Sequence, residues 1–516
     1  MLAALAALVS AGCDESSAPL APAARAAAGP NVEYLGPESL TAASRLKARA
    51  TARSGRVIAV TFMLDGQPLG SDTTAPYELD VDPGALPAGS HQVRVVAVDS
   101  LGRRASTAPV AVETAPGRTE VTATPGEGLR AALAALDRGG VTVRLGPGRY
   151  TLSEVRIRSG ARLVGAGPQT VIAAPPGKRY WALLIAKGRN IRISDLTLDG
   201  GGDVRGDDDG GIAVAVFDGS SDVRLQRLRM VRVRTDGVNT WGAHSSISVQ
   251  DSVIESDGSA EAGVVALGSD ESRDTSVIRT RVRGFRSFGI LLQQQAHNRP
   301  AADLHGVVLD NVVSDIRDPA RDACWTAAKY ETPGCGTNEG GIWTGGVEAA
   351  VVGNTVRRAR WDGIETVGSS TRTTIVRNKI YDTRTGIYLE HSTHRSLIAD
   401  NLIVDALTGI NVEWWHEGAG STHNTFADNR FVSSGGLVVD VGGDGNRIVG
   451  NVFVGGTRPA IVLQGSSNNL VQRNRGCRGP GGALVGFDEA RYDDGRPAVS
   501  RGNRLVANVN RPSASC

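Results

Sequence analysis

Apolar positions in the second half of the chain recur with a long period. Asp362-Gly363-Ile364-Glu365, Thr385-Gly386-Ile387-Tyr388, Thr408-Gly409-Ile410-Asn411 and Gly435-Gly436-Leu437-Val438 repeat one phrase, with successive glycines 23, 23 and 27 residues apart. An Asn precedes each phrase at similar register, at Asn354, Asn378, Asn401 and Asn429, and the series continues at Asn451 and Asn474. Upstream, Gly211, Gly237, Gly263 and Gly289 recur at a spacing of 26, each followed by an apolar residue, and the phase joins the later set at Gly341 and Gly363. A self-similar period of roughly 20–30 residues made of short strands predicts a solenoid.

With each Gly as position zero, Ile, Leu or Val stands at plus one and, except for Thr366, at plus three. A period-two strand turns these inward and leaves plus two and plus four outward. The outward columns then read Glu365, Tyr388, Asn411, Val438 and Val367, Glu390, Glu413, Asp440, with Gln464 next in phase. At a strand spacing of about 4.8 Å, Glu390 and Glu413 are expected roughly 5 Å apart, and Glu390 and Asp440 roughly 10 Å apart. Exposed carboxylates so spaced repel and raise at least one pKa, so the column requires a shared proton, a nearby Arg or His, or a bound cation. The Asn column reads as structural, each buried amide bonding its neighbours along the stack.

Before the solenoid the pattern differs. Val57 to Leu64, Tyr77 to Val81 and His91 to Val98 alternate or run apolar between turn clusters such as Asp65-Gly66 and Pro87-Ala88-Gly89, which predicts a small antiparallel sandwich over residues 31–115. Thr124-Pro125-Gly126-Glu127 reads as a capping box, with Leu129, Leu133 and Leu136 at helical spacing behind it. A short amphipathic helix there covers the open end of the first coil. The chain is therefore expected to be all-β, with a sandwich followed by a parallel β-helix over residues 116–516. An insertion between Asn311 and Gly341, carrying Trp325, Lys329, Tyr330 and Glu331, is long enough to wall a groove.

Composition narrows the partners. The 516 residues include 65 Gly and only 4% aromatics, which suits many tight turns and two or more domains. A formal net charge of +2 gives no footprint for nucleic acid, and no segment is apolar enough to span a bilayer. Cys13 aside, Cys324, Cys335, Cys477 and Cys516 form an even set without Cys-x-x-Cys spacing, so disulfides Cys324 with Cys335 and Cys477 with Cys516 are expected in an oxidising compartment. Asp207-Asp208-Asp209 lacks the spacing of a calcium loop and reads as a solvated turn.

Three stretches carry resemblances. Met1 to Cys13, apolar and ending in Ser10-Ala11-Gly12-Cys13, resembles a bacterial lipoprotein signal. That implies a lipid anchor at Cys13, a flexible tether over residues 14–30, and an exported protein on the periplasmic or cell-surface side of the envelope. Val60-Thr61-Phe62-Met63-Leu64-Asp65-Gly66, Thr74-Ala75-Pro76-Tyr77 and Gly89-Ser90-His91 leading into Val93–Asp99 resemble the bacterial Ig-like modules of secreted carbohydrate-active proteins, which act as spacers or weak binders. The order of a helix, then Gly146-Pro147-Gly148-Arg149-Tyr150, then Leu163-Val164-Gly165-Ala166-Gly167 resembles the opening of right-handed parallel β-helices of the pectin-lyase type. The repeats extend that resemblance over roughly Thr119 to Asn510; they are specific for the fold and not for an activity.

The expected partner is a polysaccharide, and the chain is expected to be a monomer. Glycoside hydrolysis needs carboxyls about 5–5.5 Å apart for retention or about 6.5–9.5 Å for inversion, and stacked rungs supply both. A lyase needs a cation on the substrate carboxylate and a base. Candidate catalytic residues are Glu390, Glu413, Asp440, His391 and His416, with His394 a further candidate base. Candidate substrate contacts are Trp343, Tyr388, Asn411, Trp414, Trp415 and Arg372, and Ca²⁺ is the candidate cofactor on Glu365, Glu390 and Glu413. Asp362-Gly363-Ile364-Glu365-Thr366 resembles the acidic coil motif of calcium-dependent alginate and chondroitin lyases, without that family's basic pair. The Asn-Thr-Asp and Gly-His-Gly motifs of polygalacturonase-type hydrolases are absent. The rival expectation is a non-catalytic adhesin or scaffold that only binds polysaccharide.

Overall fold

A computed structural model describes residues 29–512 apart from 41–43, 82–85, 87–88, 115–119, 202–209, 261, 269–272, 295–304, 318–339, 391, 414–419, 441, 456–458, 479–482, 489 and 492–496. Among the described residues between Glu120 and Pro512, 38 strands form one parallel stack, with the antiparallel pair Ala490–Arg491 and Pro497–Ala498 outside it. Each turn contributes a strand to three faces. The first face runs from Val155–Arg158 through Ile212–Val216, Gly340–Val347 and Asp362–Thr371 to Val485–Asp488. The second face includes Arg162–Gly165 and Leu397–Ala399, and the third Arg281–Arg283 and Arg430–Val432.

The inward residues fill a single core. Ile364, Ile387, Ile410 and Leu437 at plus one are fully buried, as are Leu389 and Val439 at plus three. Phe431 and Phe453 stack at 4.5 Å between rings on adjacent turns. The repeated Gly is required by close approach: a Cβ on Gly386 would lie 2.5 Å from the Gly409 carbonyl oxygen and 2.7 Å from Ile403 Cγ2. No side chain fits there without moving backbone.

The Asn ladder forms as read. Asn378 donates from its backbone N–H and from Nδ2 to Asn401 Oδ1, both at 3.0 Å, and Asn401 does the same to Asn429 at 3.1 and 2.9 Å. The column runs from Asn311 to Asn508. A second ladder, absent from the sequence reading, links Asn424, Asn446, Asn469 and Asn503 at the other edge of the second face, through backbone N–H groups at 2.8 Å.

The helix Leu129–Arg138 packs Ala132, Ala135 and Leu136 onto the first coil. Its cap differs from the expected box. Gly128, at φ 68°, precedes the helix with no side-chain cap, and the Thr124 backbone N–H instead closes a turn on the Glu127 carbonyl at 3.0 Å. Glycine at the left-handed position ends the turn where Thr124 stands too far from the helix to cap it.

The N-terminal module has two antiparallel sheets, one of Asn31–Tyr34, Arg45–Thr51 and Tyr77–Asp80, the other built around Val57–Leu64 and Gly89–Asp99. It is not a free spacer. Ile58, Ala59 and Val98 turn away from its own core and form a buried cluster with Ile278, Val307, Leu309, Ala350 and Val352 of the second face. Polar contacts ring the cluster: Gln250 and Ser71 exchange two hydrogen bonds at 3.0 Å, and Arg104 pairs with Asp310 at 2.6 Å. The signal was in Val57–Leu64, whose apolar run is the mark of a strand covered on both faces.

Several expectations fall outside the described residues: Cys13 and the tether, Asp207 to Asp209, the insertion with Cys324 and Cys335, His391, Trp414, Trp415, His416 and Cys516. Cys477 is disulfide-bonded.

Candidate functional site

The first face carries the acids. Trp343, Glu365, Tyr388, Asn411, Val438 and Val462 are register partners on successive strands. Leu389, Val412 and Val439 are paired likewise, so Glu390, Glu413 and Asp440 follow one another one strand apart, as the repeat predicts. Their inward neighbours Leu389, Val412 and Val439 are core, which leaves the three acids on the outer side.

The acids are less exposed than expected. Glu365 is 4% and Glu390 8% accessible, while Tyr388, Asn411, Glu413 and Asp440 are half-buried. A further acid, Asp362, is 1% accessible and joins them. Strict alternation from Ile364 counts Asp362 as inward. The strand bends at the glycine, however, so that Gly363 and Ile364 both face the core and Asp362 shares a side with Glu365. The same bend gathers Ala262 with Leu291 and Trp343 on earlier turns.

Burial is offset by protons and one cation. Burial, then repulsion from Asp362 and Glu390, drives the Glu365 carboxyl well above the usual carboxylate range, and Glu365 hydrogen-bonds both neighbours. Asp362 is pushed up to about 7, chiefly by burial, against the opposing pull of the Thr385 hydroxyl and the Arg384 charge. Glu413 is also raised, by burial and by Asp440 and Glu390, although the Tyr388 hydroxyl donates to it and Arg384 opposes the shift. The phenol of Tyr388 is raised by burial and by Glu413, so it keeps its proton and serves as a donor. Asn411 Nδ2 reaches the same Glu413 oxygen at 3.4 Å. The Arg384 guanidinium lies over the Trp361 ring, 3.8 Å from its centroid. Sequence reasoning missed Arg384 and Thr385, whose signal was their place directly before Gly386 in the repeat.

Other expected residues go elsewhere. Arg372 pairs with Glu348 at 2.7 Å rather than with the acids. His394 Nδ1 bonds the Thr422 hydroxyl at 3.0 Å, and burial, then the His423 and Arg395 charges, lowers its pKa. Trp343 is 5% accessible and packs on Phe288, ring centroids 4.7 Å apart, one strand from Glu365. Its Nε1 has no hydrogen-bond partner among the described residues. Farther along the same face the Trp181 ring packs at a tilt against Phe217 and Trp241, with centroids 4.9 and 5.1 Å away. Among the described residues no three His, Cys, Asp or Glu side chains converge as an ion cage; Glu365 hydrogen-bonds Asp362 and Glu390, while Glu413 accepts from Tyr388 and Asn411.

Residues 315–479 match a family model described as periplasmic copper-binding protein (NosD), and residues 30–95 one described as bacterial Ig domain. No curated protein matches the chain. Among solved structures, fibronectin(III)-like modules of Clostridium thermocellum CbhA align at 26% identity over 17% of this chain and 48% of that one, with a TM-score of 0.16. The chain thus spans about half the length of that relative. The family 28 exopolygalacturonase of Yersinia enterocolitica aligns at 12% identity, covering 93% of this chain and 99% of the other, with a TM-score of 0.44. The mannuronan C-5 epimerase AlgE4 A-module of Azotobacter vinelandii aligns at 16% over 75% and 94%, with a TM-score of 0.34. Among the described residues no helix is long and apolar enough to cross a membrane. The chain folds as a right-handed parallel β-helix with a bacterial Ig-like module docked on its second face.

Proposed function

We propose that this protein is an exported carbohydrate-active β-helix that cleaves glycosidic bonds of a polysaccharide on its first face. The observation that carries the reading is the buried acid row Asp362, Glu365 and Glu390 beside the Tyr388–Glu413 pair. Acid–base cleavage requires carboxyls of different proton affinity, and here Glu365 is driven well above the usual range while the rise of Glu413 is opposed by Tyr388 and Arg384. Glu365, which holds its proton and hydrogen-bonds Glu390, delivers that proton to the leaving glycosidic oxygen. Glu413, held by Tyr388 and Asn411, takes the proton of the attacking water or attacks the sugar carbon itself, and Asp440 lies one strand beyond. The aromatic pair Phe288 and Trp343 borders the row on one side.

Tyr388 keeps its proton and so serves as a donor to Glu413 rather than as the base of a lyase. Ca²⁺, a lipid anchor at Cys13, envelope localisation and a monomeric state belong to the same proposal. The family description supports a second reading, a periplasmic protein that binds without cleaving.

The test is a screen of the purified chain against uronate-rich and neutral polysaccharides, with and without chelator. New reducing ends without ultraviolet absorbance support hydrolysis, and unsaturated, absorbing products indicate a lyase. Glu390→Gln and Glu413→Gln should each lower turnover about 10²–10⁴-fold. A Glu413→Gln variant with full activity removes that residue from the mechanism, and binding without any product supports the second reading.

A further inference from the structure

The Ig-like module does not seal against the coil along its whole length. A cleft of about 500 Å³ remains between it and the second face of the first coils, inside the range of small-molecule sites. Its coil wall is cationic. Arg162, Arg192 and Arg224 are register partners on three successive strands, and Arg144 and Arg227 also line the cleft. Against these five arginines the lining holds two acids, Asp80 and Asp195, a formal excess of 5 − 2 = 3 positive charges. The opposite wall, from the module, presents Leu69, Leu79, Val81 and Leu86.

Most of these arginines have good partners. Arg227 bonds Asp195 at 2.6 Å, Arg144 bonds Glu120 at 2.8 Å, and Arg192 bonds Asp222 at 2.8 Å. Arg224 is poorly served: its Nε lies 3.6 Å from Asp222, and its buried Nη1 has no hydrogen-bond partner among the described residues. Burial, then repulsion by Arg192, lowers its pKa to about 10. Leaving a buried charged donor unmet costs about 1–3 kcal/mol or more. The coil has no need of arginine at this place, since the next two members of the column are Ser248 and Ser276. An unmet guanidinium opposite a leucine wall matches a ligand with a carboxylate at one edge and a C–H face at the other.

We propose that this interdomain cleft binds an organic anion of one or two sugar-acid units, with its carboxylate on Arg224 and Arg192 and its carbon face on Leu69 and Leu79. The site is separate from the acid row of the first face and does not depend on that row being catalytic. Because the ligand touches both modules, occupancy also tightens their docking.

The experiment is calorimetric titration and thermal melting of the full chain with digalacturonate, against the neutral disaccharide, inorganic sulfate and sodium chloride at matched ionic strength. Digalacturonate should raise the melting midpoint above the chloride control. Arg224→Met should weaken its binding at least tenfold while the unliganded protein melts as before, and Arg192→Met replaces it if Arg224→Met does not fold. Glu413→Gln should leave this binding unchanged, which separates it from any occupancy of the first face. Equal binding of the neutral disaccharide, equal binding of sulfate, binding lost in Glu413→Gln, or full binding in the arginine variant each overturns the proposal.

Discussion

The Tyr388 hydroxyl donates its hydrogen bond to the Glu413 carboxylate on the next strand of the same stack. Neither residue alone is informative. Together they show a phenol kept protonated by burial and acid neighbours, and a carboxylate whose upward shift that phenol restrains.

Replacing Tyr388 by Phe removes the donor and leaves Glu413 with burial and its acidic neighbours. Its pKa then rises further, and the acid limb of the pH–activity profile moves up by about one unit, the equivalent of about 1.4 kcal/mol. An unmoved acid limb would show that Glu413 is not the group titrating in turnover.

The row also fixes how stability responds to pH. In the unfolded chain Asp362 loses its proton near 3.8, whereas the folded protein holds it until about 7. Between these values the native state binds more protons, so stability falls as pH rises, by at most about 1.4 kcal/mol per unit for this one group. The urea midpoint should be higher at pH 5 than at pH 8, and Asp362→Asn should flatten the difference. A midpoint that climbs across this window in the parent protein and does so equally in Asp362→Asn contradicts the assignment.

Asn401 accepts two bonds from Asn378 and donates Nδ2 to Ile375 O at 2.8 Å and Asn429 Oδ1 at 2.9 Å, all within the buried ladder. Asn401→Ala strands several of these groups at about 1–3 kcal/mol each, and a loss of at least 3 kcal/mol in denaturant unfolding is expected. Asn508, half-buried at the end of the column, should cost distinctly less. Equal losses at the two positions would mean that the ladder is not the source of the effect.

Docking of the Ig-like module makes it part of the solenoid's stability. Ile58→Ala opens a cavity in the interdomain cluster and should cost about 2–5 kcal/mol. A β-helix fragment lacking the module should expose Val307, Leu309 and Val352 and associate in light scattering. A fragment that stays monomeric with the melting midpoint of the whole chain counts against this coupling.

Periodicity determined the solenoid, the Ig-like sandwich, the Asn column and the order of Glu390, Glu413 and Asp440 along the stack, because a repeat fixes register and register fixes which residues become neighbours. Burial was not legible, since a strand pattern distinguishes sides of a sheet but not what covers them: Glu365 reads as outward and is enclosed, and Trp343 packs on Phe288. Only the tertiary structure turned Asp362 to the acid row, through a bend at Gly363 that breaks alternation, and sent Arg372 to Glu348 instead. It alone brought residues about two hundred positions apart, such as Arg104 and Asp310, into contact and left an arginine-lined cleft between the module and the first coils. Local spacing sets neighbours within a coil; which surfaces meet is decided by how whole modules shed water from their remaining apolar faces.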